Sequence, residues 1–196
     1  TFRSDKSWLM VLCKKKIGQM DNGHIDLWIK GHNVLCDAGS YSYASDLGKE
    51  LYTARSHNTA YCEGIDQIRR IGAFAGYGQP ILKKRLWSEK KIELDIQYST
   101  GYEHKRTVVV TNNGYEIDDE VLSENDCYIQ FHVLGYVHQI DDSSVLIEGC
   151  ILKFDAPVRL SKSTRSLYYL KAEDTTCISV PCHRTLHTII ELQEDN

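Results

Sequence analysis

His24-Ile25-Asp26-Leu27-Trp28-Ile29-Lys30-Gly31-His32-Asn33-Val34-Leu35-Cys36-Asp37 is the stretch whose reading decides the fold. From residue 24 to 30 it alternates, so Ile25, Leu27 and Ile29 fall on one face of a strand. Gly31 marks a tight turn, through Lys30-Gly31 or through Gly31-His32 within a longer loop. A second strand follows at 33–37.

The same pattern runs outward in both directions. Strands are expected at 8–13, 91–98, 105–111, 115–122, 127–133, 144–154, 166–170, 177–180 and 185–192. Ser99-Thr100-Gly101, Asn112-Asn113-Gly114, residues 123–126 and Asp141-Asp142 supply the turns between them. Many short strands with such turns predict an all-β fold, a large antiparallel β-sandwich of supersandwich-like type with little helix. The best helical stretch is 45–51. The exception to regularity is 37–79, long and rich in Gly, Ser, Tyr and Asn; segments of this kind carry function or are locally tied down.

The chain of 196 residues is long enough for one sizeable core, so residues 1–196 are read as one domain. Its net charge of -4 offers no bulk attraction to an acidic polymer or a nucleic acid, so a polyanion would need a local basic patch or a metal. No apolar run is long enough to insert into a membrane, and the first residues do not read as a signal peptide, although a secreted parent would carry its leader further upstream. The seven Cys are scattered and odd in number, with neither zinc-finger spacing nor a small disulfide framework. They read as mostly reduced and buried, which leans towards a reducing compartment or a host that makes few disulfides.

His24, Asp37 and His57 are the candidate metal ligands. An odd residue sum across the hairpin places His24 and Asp37 on one sheet face, where cross-strand neighbours lie roughly 5–8 Å apart at Cβ. His57 returns from the irregular segment as a third ligand, and two imidazoles with a carboxylate suit zinc. The alternative is that His24 caps a strand, Asp37 makes an Asx-turn before Gly39 and His57 is a loop residue.

Several motifs in order resemble one known family. Asn22-Gly23-His24-Ile25-Asp26 is similar to its H-x-H-x-D strand, and Cys36-Asp37-Ala38-Gly39-Ser40-Tyr41-Ser42-Tyr43 to its D-P-G-T-Y-x-Y turn. Tyr52-Thr53-Ala54-Arg55-Ser56-His57-Asn58-Thr59 resembles its tyrosine-to-H-N-T segment, followed by Glu63-Gly64 and Gln67. His104 with Arg106, then Ile117, Asp119 and Val121, resemble a later strand pair. These marks, over roughly residues 1–135, are those of the heparinase II/III-like polysaccharide lyases.

The resemblance implies a C-terminal β-sandwich whose partner is an N-terminal (α/α) toroid, with the active site in the cleft between them. It implies one zinc ion, mainly structural, on His24, Asp37 and His57. The implied reaction is β-elimination on a uronic acid of a heparin-, heparan- or alginate-like acidic polysaccharide. Such a site must neutralise the carboxylate and stabilise enolate-like charge, and a Tyr or His shuttles the proton.

The family's first His of H-x-H is Asn22 here, which can hydrogen-bond but cannot shuttle protons at neutral pH. Tyr52 is the candidate acid, with Tyr43 behind it; Asn22 is the other candidate catalytic residue, and Arg55 and Tyr43 are candidate substrate-binding residues. Lys83-Lys84-Arg85 reads as a solvated basic turn, and His104 and Arg106 share a face and brace the fold. On this reading the isolated domain is inactive without its helical partner. The second reading is a non-catalytic carbohydrate-binding or assembly module, and a third is a metal-free sandwich related by ancestry alone. The family suggests a periplasmic, secreted or envelope-associated parent.

Overall fold

Strands Ile25–Ile29 and His32–Leu35 form the expected hairpin in the computed structural model, which describes residues 1–16, 18–72 and 75–193. Its turn is the two-residue Lys30-Gly31, both at positive φ (50° and 84°), the twist that matches two paired strands. Ile25, Leu27 and Ile29 are buried, as the alternation requires.

Around this hairpin the first sheet runs in the order Phe2–Arg3, Ser7–Val11, Ile25–Ile29, His32–Leu35, Cys127–Val133, Lys171–Pro181, Arg159–Tyr168. Ala60–Cys62 joins it by pairing with Cys127–Val133. The second sheet runs Val137–Asp141, Ser144–Ile147, Cys150–Phe154, Thr185–Leu192, Gly114–Leu122, Tyr102–Thr111, Lys91–Tyr98, Ile81–Trp87. Every ladder between named strands is antiparallel, and Arg69–Arg70 with Gly76–Tyr77 makes a small separate ribbon. The fold is the expected all-β sandwich. Among the described residues, helix is confined to Asp46–Glu50, capped by Ser45, and the 3-10 turn Ala54–Ser56. No helix among the described residues is long and apolar enough to cross a membrane.

One core lies between the sheets. Leu9, Leu27, Ile129, Phe131 and Ile178 from the first meet Ile96, Val108, Ile117, Leu152 and Ile190 from the second. Each such side chain contributes roughly 1.5–3 kcal/mol by leaving water.

The structure corrects four local expectations. Residues 144–154 are two strands, because Gly149 (φ 77°) turns the chain between Ile147 and Cys150. Of residues 166–170, the first three end the longer strand Arg159–Tyr168, and Tyr169-Leu170 is the turn into the next strand. Lys83-Lys84-Arg85 lies within the exposed edge strand Ile81–Trp87 and not in a turn; Lys83 pairs with Glu103 and Lys84 with Glu93. Cys62 and Cys127 are joined by a disulfide although 65 residues apart, because strand pairing places them directly opposite. The other five Cys are free, four of them buried.

Candidate metal centre

His24, Asp37 and His57 come together where three chain segments leave the first sheet. The hairpin pairing passes from Trp28 opposite Asn33 to Leu27 opposite Leu35, so a bulge makes the residue sum even beyond it. The register argument for a shared face therefore fails at residues 24 and 37. They meet because both lie just past the paired residues. His24 is held by the N–H of Leu12 donating to its carbonyl at 2.8 Å, and Cys36 N–H donates to His132 O at 2.9 Å. Asp37 then turns: Gly39 N–H (φ 68°) donates to its Oδ1 at 2.6 Å, the Asx-turn that the alternative, metal-free reading named.

That turn leaves Asp37 Oδ2 facing two imidazoles. His57 Nδ1 lies 3.3 Å from it and His24 Nε2 lies 3.6 Å away. The three potential ligand atoms all fall within 4.8 Å of one another. Tetrahedral ligands at zinc–nitrogen distances of about 2.0–2.1 Å sit roughly 3.3 Å apart, so this spacing fits a small cation.

The hydrogen-bond inventory points the same way. His24 and His57 are 1% and 0% exposed, yet His24 Nε2 and both ring nitrogens of His57 have no hydrogen-bond partner. Buried polar atoms are normally satisfied, and an orphan costs about 1–3 kcal/mol. Two of these orphans aim at one carboxylate, which a cation would satisfy together. Asp37 remains 37% exposed at its side chain, leaving the site open on that side.

Burial pushes the His24 imidazole down to about 3, against the pull of Asp37, so the ring is neutral. Although burial opposes it, the adjoining His57 ring, with Nδ1 3.3 Å away, and then the His24 ring hold the Asp37 carboxyl well below the usual range. Asn58 N–H donates to His24 Nδ1 at 3.0 Å, which puts the proton of the neutral ring on Nε2. An ion taken up at Nε2 must displace that proton, so uptake is coupled to pH.

Asn58, fully buried, links all three segments. Its Nδ2 donates to Ile25 O (2.7 Å) and Cys36 O (3.2 Å), next to His24 and Asp37, while its Oδ1 accepts the His132 N–H at 2.5 Å. The side chain thus fills the gap along Cys127–Val133 between its two short neighbours, His32–Leu35 and Ala60–Cys62. From the second sheet, Arg106 Nη1 donates to Gly23 O (2.7 Å) and Asn58 O (2.8 Å), and its other nitrogens pair with Asp119. His104 Nε2 completes this buried set at 2.7 Å from Asp119, so His104 and Arg106 brace the fold as expected.

The remaining candidates are spread around this centre. Asn22 is fully buried; its Oδ1 accepts Lys14 N–H at 2.8 Å and its Nδ2 donates to Lys14 O at 3.0 Å. Gln67 brackets the Asn22 backbone from the other side, at 2.9 Å in each direction. Tyr52 is half-buried over a small cluster of Met20, Ala54 and Ile68, and burial raises its phenol. Tyr43 is 51% exposed with its ring 6.2 Å from that of Tyr169. Arg55 is exposed, its guanidinium 5.8 Å from the Tyr61 ring centre. Sequence reasoning did not single out His132, whose Nε2 lies 3.1 Å from Arg55 O and whose Nδ1 lies 3.1 Å from Ser163 Oγ. It also missed Arg70, whose guanidinium lies 4.3 Å over the Tyr52 ring. Nothing in the spacing pointed to either, because both contacts come from the tertiary fold.

Comparison with known proteins agrees with this architecture. The model of the family "Heparinase II/III-like, C-terminal" matches residues 5–190. A heparin-sulfate lyase of Bacteroides stercoris is 27% identical over 128 residues, 58% of this chain and 17% of that protein. A heparinase III solved with methylated lysines superposes with a TM-score of 0.71 at 19% identity, over 90% of this chain and 30% of its own. The heparan sulfate lyase HepC from Pedobacter heparinus gives 0.67 at 16%, over 91% and 31%. The chain therefore spans less than a third of each of these relatives.

Proposed function

The chain belongs to the heparinase II/III-like C-terminal family, and on that premise we propose that it is the metal-holding sandwich domain of a lyase acting on uronic-acid-containing polysaccharide. The carrying observation is the pair of orphaned buried imidazole nitrogens facing Asp37. His24 Nε2, His57 Nδ1 and Asp37 Oδ2 are the atoms that would hold zinc, a donor set this metal favours. Bound there, zinc supplies a fixed positive charge and a cross-link among the three segments.

The chain's own residues do the positioning. The link from Asp37 to His57 pins both ends of the segment that carries Tyr43, Tyr52 and Arg55. Tyr52 offers a phenol whose protonated form is favoured by burial, as a proton donor requires. Arg55 presents an exposed cation to an acidic chain. β-Elimination also needs a base and carboxylate neutralisation, which we place on the helical domain of a longer protein.

The test compares residues 1–196 with the longer protein that carries them, reading the absorbance of the unsaturated uronate product. Turnover by the longer protein with none by 1–196 is expected. Clear turnover by 1–196 alone, or none by the longer protein on any uronate polymer, contradicts the proposal.

A second reading, a non-catalytic binding module, is favoured by Asn22. Both polar atoms of its amide bond the Lys14 backbone, so the side chain is committed to holding the loop. In that case the longer protein binds acidic glycan without producing the unsaturated chromophore.

A further inference from the structure

Beside Tyr52, on the same irregular segment, the fold forms a cavity of about 240 Å³ lined by Gln19, Ser40, Ser42, Tyr43, Tyr52 and Arg70, among others. It is smaller than the roughly 300–1,000 Å³ typical of sites for drug-sized ligands, and suits a single sugar ring.

Its walls are built rather than accidental. Met20 N–H donates to Tyr52 O at 3.0 Å, and the Met20, Ala54 and Ile68 cluster holds the Tyr52 ring. Gln19 Nε2 donates to Gly39 O at 2.7 Å and to Ser40 Oγ at 3.0 Å, which fixes it to the turn that follows Asp37. Arg70 Nε donates to Gly72 O at 3.0 Å, which orients the guanidinium over the Tyr52 ring. Among the described residues no carboxylate pairs with Arg70, whereas Lys49, Lys83, Lys84 and Arg165 each have an acidic partner. The Tyr52 hydroxyl likewise has no hydrogen-bond partner among the described residues.

A cation fixed on an aromatic face, beside a hydroxyl and two serines, matches the chemistry of an acidic sugar. The fork of guanidinium donors binds carboxylate or sulfate, and the hydroxyls bind the ring's own hydroxyl groups. We propose that this cavity is a subsite for one acidic sugar residue, with Arg70 as the anion-binding group and Tyr52 as its neighbour on the same ring. The inference rests on the glycan reading above and adds the residue that recognises the charge.

The test titrates the chain with three disaccharides, one unsulfated and glucuronate-containing, one sulfated and heparin-derived, and neutral maltose, following backbone amide shifts. Both acidic probes should shift residues around 19, 40–43 and 70, and maltose should bind markedly more weakly. Arg70→Gln should weaken the acidic probes by roughly tenfold or more, as loss of a charged hydrogen-bond pair implies. Arg70→Lys should restore part of that loss, and an unchanged thermal midpoint confirms that both variants fold. Gln19→Ala, elsewhere in the same lining, provides an independent variant that should also weaken both.

Unchanged affinity in Arg70→Gln, or shifts confined to another face, overturns the inference. Failure of both acidic probes to bind, while the longer protein still eliminates, overturns the subsite and leaves the lyase reading standing. Failure of both binding and elimination removes the two together.

Discussion

Arg106 Nη1 donates to the carbonyl of Asn58 at 2.8 Å, so a buried cation of the second sheet clamps the residue that joins the three ligand segments of the first. Asn58 in turn donates from its backbone to His24 and from its amide to the residues flanking His24 and Asp37. The candidate centre is therefore held from behind by an ion pair that never reaches it.

Arg106→Met tests that clamp. It leaves Asp119, fully buried, without its strongest partner, and breaking a buried pair costs about 3–5 kcal/mol. For a chain of this size the thermal midpoint should fall by roughly 6–20 °C. Metal affinity should fall in parallel at a temperature where the variant is still folded. A midpoint shift with unaltered metal affinity separates the brace from the site.

Removal of the Asn58 donors tests the local geometry more gently. Asn58→Asp keeps the shape and the acceptor for His132 N–H but loses the bonds to Ile25 O and Cys36 O. A buried carboxylate beside two carbonyls is also unfavourable, so destabilisation by about 2–4 kcal/mol is expected, measured by urea unfolding. A change within a few tenths of a kcal/mol contradicts the role assigned to this side chain.

The Cys62–Cys127 disulfide closes a loop that includes much of the second sheet. Its loss should cost about 2–5 kcal/mol, read as a lower midpoint in reductant or in Cys62→Ser. The two probes should agree, and a midpoint insensitive to both contradicts a stabilising cross-link.

Acid should weaken the metal-free chain. Burial holds His132 at about 4 and His24 at about 3, both below the unfolded value of 6.5. Stability from their neutral rings is fully present above 6.5 and is lost as pH falls through 4 and then 3. Asp66 acts in the opposite sense, because burial raises it to about 6. Its contribution is complete below 3.8 and lost as pH rises through 6, so it offsets part of the histidine loss. The thermal midpoint should therefore fall between pH 6.5 and 4, and more steeply in Asp66→Asn. A midpoint that rises on acidification contradicts this balance.

The alternation at Ile25, Leu27 and Ile29 made the hairpin legible, since a period of two forces every second residue inward. The turn after Lys30 was legible for a similar reason, as Gly31 permits the required positive φ. The bulge at Leu27 was not, because no residue in the hairpin announces an extra backbone unit. His24, Asp37 and His57 were found through their order in a set of family motifs, and geometry brought them together by a different route from the one spacing suggested. Arg70 and His132 lay hidden because their partners, Tyr52 and the Arg55 carbonyl, are brought to them only by the folded irregular segment. The disulfide was hidden for the same reason, since pairing of Cys62 with Cys127 depends on a strand that enters the sheet from that segment.

Metal content of the purified chain, by elemental analysis beside His57→Ala, tests the central claim most directly. About one zinc per chain is expected, lost in the variant along with several degrees of thermal midpoint. No metal in either protein, or full zinc retained by His57→Ala, contradicts the assignment of His24, Asp37 and His57 as its ligands.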